Sequence, residues 1–365
     1  MIAFNKSFAQ AYLPERSHVL LQDSLAGNLN LRINAHSFLK NNEYYSPLTQ
    51  GFTGIGVYFQ PKVAYQIDAN TSLHLGFHFL HFSGLKQISE AIPLFRIEHQ
   101  FSSSVSLVMG QIYSGLHHDL EEPHYRIDRG YQNNVEYGLQ LLYDQDWIHV
   151  DSWIHWAQFI QRNDPFPESL YVGQNYDVKL WQGRRFGLYA NAEVLISHQG
   201  GQIDRPSEID RTLMNGAIGI TPRWQLSKRR SIAIQCQYYL SQVNKQVPDM
   251  KSALYYPFES GKGMLWRGRY DAQYLSASVA YWKASTFISS IGESLFASVS
   301  DFDQTFQQPV RSMLHGRLSY DRSLSPNLCG LLQANGYVDV DRAHMDFSLQ
   351  LSLRMSFDLL LKSYQ

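Results

Sequence analysis

Apolar and polar residues alternate along most of the chain. From Met345 to Phe357 every odd position is apolar: Met345, Phe347, Leu349, Leu351, Leu353, Met355 and Phe357. The even positions are Asp346, Ser348, Gln350, Ser352, Arg354 and Ser356. A helix would scatter these residues over all sides, whereas a strand sorts them onto two faces. The same period recurs from Leu29 to Ala35, Leu73 to Phe79, Val135 to Tyr143, Ile148 to Trp156, Phe186 to Ile196 and Ile232 to Leu240. It predicts about sixteen strands, with fourteen as the alternative count. They lie near residues 28–39, 52–67, 72–82, 92–101, 104–113, 132–143, 147–160, 169–181, 185–198, 212–226, 231–241, 269–282, 286–299, 309–320, 327–339 and 345–359. Ser and Ala blur the pattern most at 269–282 and 286–299.

The connections alternate between short and long. Short ones such as Asp68-Ala69-Asn70-Thr71, Asp144-Gln145-Asp146, Gln182-Gly183-Arg184 and Lys283 to Ser285 are built of turn-compatible residues. Long ones run from Ser114 to Tyr131, Gln199 to Arg211 and Ser241 to Arg267. An antiparallel meander puts alternate connections at opposite ends of the sheet, so one end is trimmed and the other elaborated. Outer-membrane barrels have this asymmetry, with tight periplasmic turns and long external loops. The expected fold is therefore all-β: a closed antiparallel transmembrane β-barrel.

Composition supports this. Of 365 residues 44% are hydrophobic, 14% aromatic and only 17% charged. A lipid-facing wall accounts for the low charge, because charge there is costly. Tyr143, Trp147, Trp181, Trp224, Tyr281, Trp282 and Tyr320 fall at segment ends, where aromatics suit the bilayer interface. No apolar run approaches the ~20 residues of a spanning helix. The formal net charge of −1 gives no basic footprint for nucleic acid.

Ser7-Phe8-Ala9 has the small-x-small form of a signal-peptidase site, but the apolar stretch before it is too short for a signal. Residues 1–26 thus read as a residual signal or N-terminal periplasmic segment, and 27–365 as the barrel. Cys236 and Cys329 have no zinc or redox spacing and occupy opposite faces of their strands, so no disulfide is expected.

His149, Asp151, Trp153 and His155 share one strand face, assigned to the lumen. Two histidines and a carboxylate suit a metal or acid–base pair, but i, i+2 neighbours lie ~6.5 Å apart. A plain polar lining is the simpler reading. Arg96, Glu98, Asp177, Lys179, Glu193, Arg311, Arg317 and Arg354 join them on inner faces. Their mixed signs fit a weakly selective channel or a lumen plugged by its own ion pairs. The loop Leu116-His117-His118-Asp119-Leu120-Glu121-Glu122-Pro123-His124 reads as solvated, with a divalent-cation site at the cell surface as the sharper alternative. No phosphate loop or nucleophile elbow is present, and no cofactor is implied.

The organisation over residues 27–361 resembles outer-membrane porin-like β-barrels, and the Tyr-, Asn- and Gln-rich texture looks like those of Bacteroidota. The resemblance rests on architecture and carries no motif. Barrels of this kind commonly end on an aromatic residue, whereas here Tyr364 is penultimate. The leading expectation is a non-enzymatic porin-like channel of the bacterial outer membrane, passing small hydrophilic solutes. A filled-lumen subunit of an assembly, secretion or export complex comes second, and a barrel-embedded lipid hydrolase third. The expected partners are outer-membrane lipid, other outer-membrane proteins or lipoproteins, or further copies of the chain.

Overall fold

A computed structural model describes residues 26–200, 211–246, 256–303 and 305–364. The expected N-terminal segment therefore lies, apart from Ala26, outside the described residues. Sixteen antiparallel strands close into one barrel: β1 (Asn28–Glu43), β2 (Thr53–Gln66), β3 (Thr71–Phe82), β4 (Glu90–Ser102), β5 (Val105–Gln111), β6 (Tyr137–Gln145), β7 (Ile148–Gln158), β8 (Ser169–Gln182), β9 (Phe186–Gln199), β10 (Arg211–Ser227), β11 (Arg230–Gln246), β12 (Ser260–Asp271), β13 (Leu275–Ser285), β14 (Val310–Ser325), β15 (Leu328–Asp339) and β16 (His344–Ser363). Each strand pairs with its sequence neighbours, and β1 closes on β16 from Asn28↔Ser363 to Glu43↔Phe347. Closure leaves no edge strand, as a hydrocarbon surround requires.

The burial pattern is inverted relative to a soluble protein. On β16, Leu349, Leu351 and Leu353 are 46%, 50% and 43% exposed, while Ser348, Gln350 and Ser352 are 0%, 3% and 0% exposed. Apolar side chains point outward and polar ones inward, as a barrel wall in lipid demands. Cys236 and Cys329 are free thiols.

Two of the expected strands are misplaced. The segment 269–282 spans the end of β12, a turn and most of β13, and Lys283 to Ser285 belongs to β13 rather than to a turn. Residues 286–299 form no barrel strand. They belong to a long connection that turns into the lumen and contains a 3₁₀ turn at Ser294–Phe296. The physical reason is that Lys262, Gly268 and Lys283 interrupt the apolar outer face of β12 and β13, whereas 286–299 is apolar because it is buried in the barrel.

Candidate functional site

The connection between β5 and β6, residues 112–136, folds back into the lumen as a plug. It contains a 3₁₀ turn at Gly115–His118 and one helical turn, α1 (Arg129–Gln132). The surface-loop expectation for Leu116 to His124 is thereby corrected. His118 and His124 are both 0% exposed, and Glu121 and Glu122 are 4% and 2% exposed. No group of three or more His, Cys, Asp or Glu suited to a metal ion occurs among the described residues. His118, Glu121, Glu122 and His124 instead bind the wall.

His118 is the centre of the latch. Its Nδ1 lies 3.0 Å from Asp151 of β7 and its Nε2 2.9 Å from Glu136 at the foot of the plug. Both ring nitrogens face carboxylates, so both act as donors and the ring is an imidazolium. The ring stacks on Trp153 at 3.6 Å and 8°. Trp153 can lie there because Gly173 on β8 offers no side chain; a Cβ at Gly173 would sit 2.0 Å from the indole. Gln140 donates to Asp151 (2.8 Å) and Tyr125 Oη donates to Glu136 (2.7 Å).

Further ion pairs radiate around the wall. Glu121 accepts from Arg267 of β12 at 2.7 Å and from Gln235 of β11 at 3.0 Å. Glu122 pairs with Arg317 of β14 at 2.5 Å. His124 Nδ1 meets Glu193 of β9 at 2.8 Å. Asp128 pairs with Lys40 of β1 at 3.2 Å and accepts from Asn42 at 2.7 Å. Arg96 of β4 donates to the carbonyls of Gln111 and Ile112, and Tyr113 Oη donates to Glu98. The second inward connection, residues 286–309, braces the first: Glu293 N donates to Glu122 O and Arg126 N to Ile291 O. Arg311 of β14 holds it through the carbonyls of Leu295 and Ala297.

The inner-face residues expected from sequence thus take distinct roles. Arg96, Glu98, Asp151, Glu193, Arg311 and Arg317 grip the inward connections. His149 pairs with Asp144, His155 meets the backbone of Tyr137, and Asp177 accepts from Asn175. Lys179 is half-buried on β8. Arg354 pairs with Asp321 at 2.7 Å and lines a cavity beside the plug. On the His149–Asp151–His155 face the central carboxylate holds the plug through His118.

That cavity, of about 60 Å³, is lined by His36, Ser114, His117, Tyr131, Gln350 and Arg354, among others. His36 sits among the rings of Phe38, Tyr58 and Tyr131. Its Nε2 and the Gln350 Oε1 are buried with no hydrogen-bond partner. Such a volume accommodates a few waters and is well below the ~300 Å³ of a typical ligand pocket. Among these residues only Arg354 was singled out as an inner-wall position from sequence.

The latch titrates. Burial opposes the charge on His118, but Asp151 and Glu136 outweigh it and lift its pKa to about 9. Burial, with Asp128 and Glu122 adding to it, pushes Glu293 up to about 8. Both groups hold their protons more tightly in the seated plug than in the free chain. His118 therefore stabilises the plug fully below its usual 6.5, and Glu293 below its usual 4.5. These contributions fade as pH rises through about 9 and about 8 respectively. Raising pH from 7 to 10 is expected to loosen the plug, read as growing tryptic cleavage at Arg126 and Arg129. Cleavage that stays constant across this range would contradict the assignment.

The sequence model of the family described as Lipid A 3'-O-deacylase-type matches residues 20–364. The chain belongs to this family. The expectation of a protein without enzymatic activity is thereby overturned, since the family is named for an enzyme. No curated protein matches the sequence. Among solved structures, OprD of Pseudomonas aeruginosa superposes with a TM-score of 0.52 at 8% identity, over 92% of this chain and 97% of that one. OpdK of the same organism gives 0.50 at 11% identity, over 92% and 100%. A doubly substituted OccD1 (OprD) gives 0.53 at 8% identity, over 92% and 97%. At these identities the likeness is one of fold: this family member has an outer-membrane porin-type barrel.

Proposed function

We propose that the protein is an outer-membrane hydrolase that removes an ester-linked acyl chain from lipid A or a closely related glycolipid. The observation that carries this reading is the family match, which runs through the whole barrel. The plug supports it, because a lumen crossed by buried ion pairs is poorly suited to free solute passage.

Within the described lumen, the cavity beside the plug offers the chemistry such a reaction needs. An ester is hydrolysed when a base takes a proton from water as the oxygen attacks the carbonyl, and a positive donor steadies the oxyanion. His36 presents a nitrogen without a partner, and His117 and Arg354 line the same space. The cavity has room for water but not for an acyl chain, so the ester reaches it when the plug yields locally. The products are a fatty-acid carboxylate and a sugar hydroxyl.

The test is incubation of the purified, folded barrel with lipid A in mild detergent, followed by mass spectrometry of the lipid. Loss of a single O-linked acyl chain and release of the matching free fatty acid are expected. An unchanged lipid mass in the presence of folded protein would overturn the reading.

A further inference from the structure

The lipid-facing wall over β11 to β14 carries a graded surface. At the long-loop end, Lys262 of β12 and Lys283 of β13 are exposed. Register places Lys262 opposite Leu240 and Ser285, and Lys283 opposite Met264 and Ser312. Leu240 is exposed, Met264 and Ser285 are half-buried, and the buried Ser312 shares its strand face with the exposed Val310 and Leu314. Lys283 Nζ donates to Ser312 Oγ at 2.6 Å, and neither lysine forms an ion pair among the described residues. No other lysine or arginine with a described side chain takes an outward position at this end of the strands.

Below the lysines, Trp266 and Tyr281 are cross-strand partners whose rings stack at 5.8 Å and 24°. One row further down, Gly268, Val279, Gly316 and Gly336 are paired in sequence across β12 to β15. A Cβ at Gly268 or Gly316 would meet nothing within 4 Å, so the wall is shallow there. With a rise of ~3.3 Å per residue, Lys283 stands ~7 Å and Lys262 ~13 Å along the strand from the aromatic row.

Aromatic pairs of this kind sit at the level of lipid headgroups. Two unpaired ammonium groups directly above them meet the charged part of the outer leaflet, and the glycine row below meets acyl chains. A lysine unpaired on a membrane wall is costly unless its counter-charge comes from the lipid. We infer that this face of β12 and β13 docks one phosphorylated glycolipid of the outer leaflet. The lysines take its phosphates, Trp266 and Tyr281 its sugar, and the glycine row an acyl chain. The inference rests on the proposed function for the identity of the glycolipid, and on the wall itself for the place.

The test is native mass spectrometry of the full chain in mild detergent with added bisphosphorylated lipid A, and separately with the same lipid stripped of phosphate. Wild type is expected to retain the phosphorylated form about tenfold better or more. The double variant Lys262→Gln/Lys283→Gln should lose that preference, and Lys262→Arg/Lys283→Arg should restore it. Heat-modifiable migration in gels confirms that each variant is folded. Equal retention of both lipids by wild type, or an undiminished preference in the Gln variant, overturns the docking site. Hydrolysis of a soluble short-chain ester, run alongside, should be equal in wild type and the Gln variant. Its absence in wild type, with lipid retention intact, would count against the hydrolase and leave the docking site standing.

Discussion

Replacing His36 or His117 by alanine is expected to lower acyl-ester hydrolysis by about 10²-fold or more, with the barrel still folded. That is the usual range for removing a positioned general base. His36 belongs to β1 and is packed among Phe38, Tyr58 and Tyr131, so its ring is held in one place with Nε2 unpartnered. Truncation to alanine also leaves a void among these rings. His36→Asn therefore accompanies it, keeping a polar group while removing the proton-accepting imidazole. The measurement is fatty-acid release under single-turnover conditions, which isolates the chemical step. A base shows as a lost rate with little change in lipid retention. If both single variants and the double variant hydrolyse lipid at the wild-type rate, the cavity is not the reaction site.

Replacing His118 by alanine is expected to unseat the plug. The change removes one positive charge from between Asp151 and Glu136, two carboxylates that are 0% and 2% exposed. Breaking one side of a buried ion pair typically costs about 3–5 kcal/mol, because the remaining charge stays buried without compensation. Here two carboxylates lose their shared partner, and Trp153 loses the ring stacked on it. The sixteen-strand wall makes its ladder independently of His118, so the barrel should persist while the plug loosens. In planar bilayers the wild type is expected to be closed and the variant to show discrete conductance steps. Tryptic cleavage at Arg126 and Arg129 should rise in parallel. A closed, protease-resistant variant would show that Glu121, Glu122 and Asp128 suffice to hold the plug.

Much of this barrel is legible in the sequence, because period-2 alternation reports directly on a wall with lipid on one side. Met345 to Phe357 is the clearest case. The alternation breaks where that physics is locally suspended. β12 and β13 carry glycine and lysine on the face that should be apolar, and residues 286–299 are apolar because they are packed inside the barrel.

The plug was illegible for a different reason. Glu121, Glu122 and His124 read as solvated because their partners, Arg267, Arg317 and Glu193, lie on distant strands, and only closure of the barrel brings them together. The loop did hold a signal. Ile112, Tyr113, Leu120, Tyr125 and Tyr131 are more apolar than a solvated connection of that length needs, and all five are buried. Likewise the cavity joins His36, His117 and Gln350 from three distant stretches of the chain, at no fixed spacing, so no motif could announce it.

The spokes of the plug also set an order for biogenesis. Asn42 and Asp128 are 86 residues apart, Gln235 and Glu121 114, and Arg267 and Glu121 146. Contacts so distant in sequence form late, after the intervening chain is in place. Glu122 has no Arg317 to meet until β14 has joined the growing sheet. The full set of spokes therefore exists only once the wall is assembled, and seating of the stopper is tied to closure of the barrel.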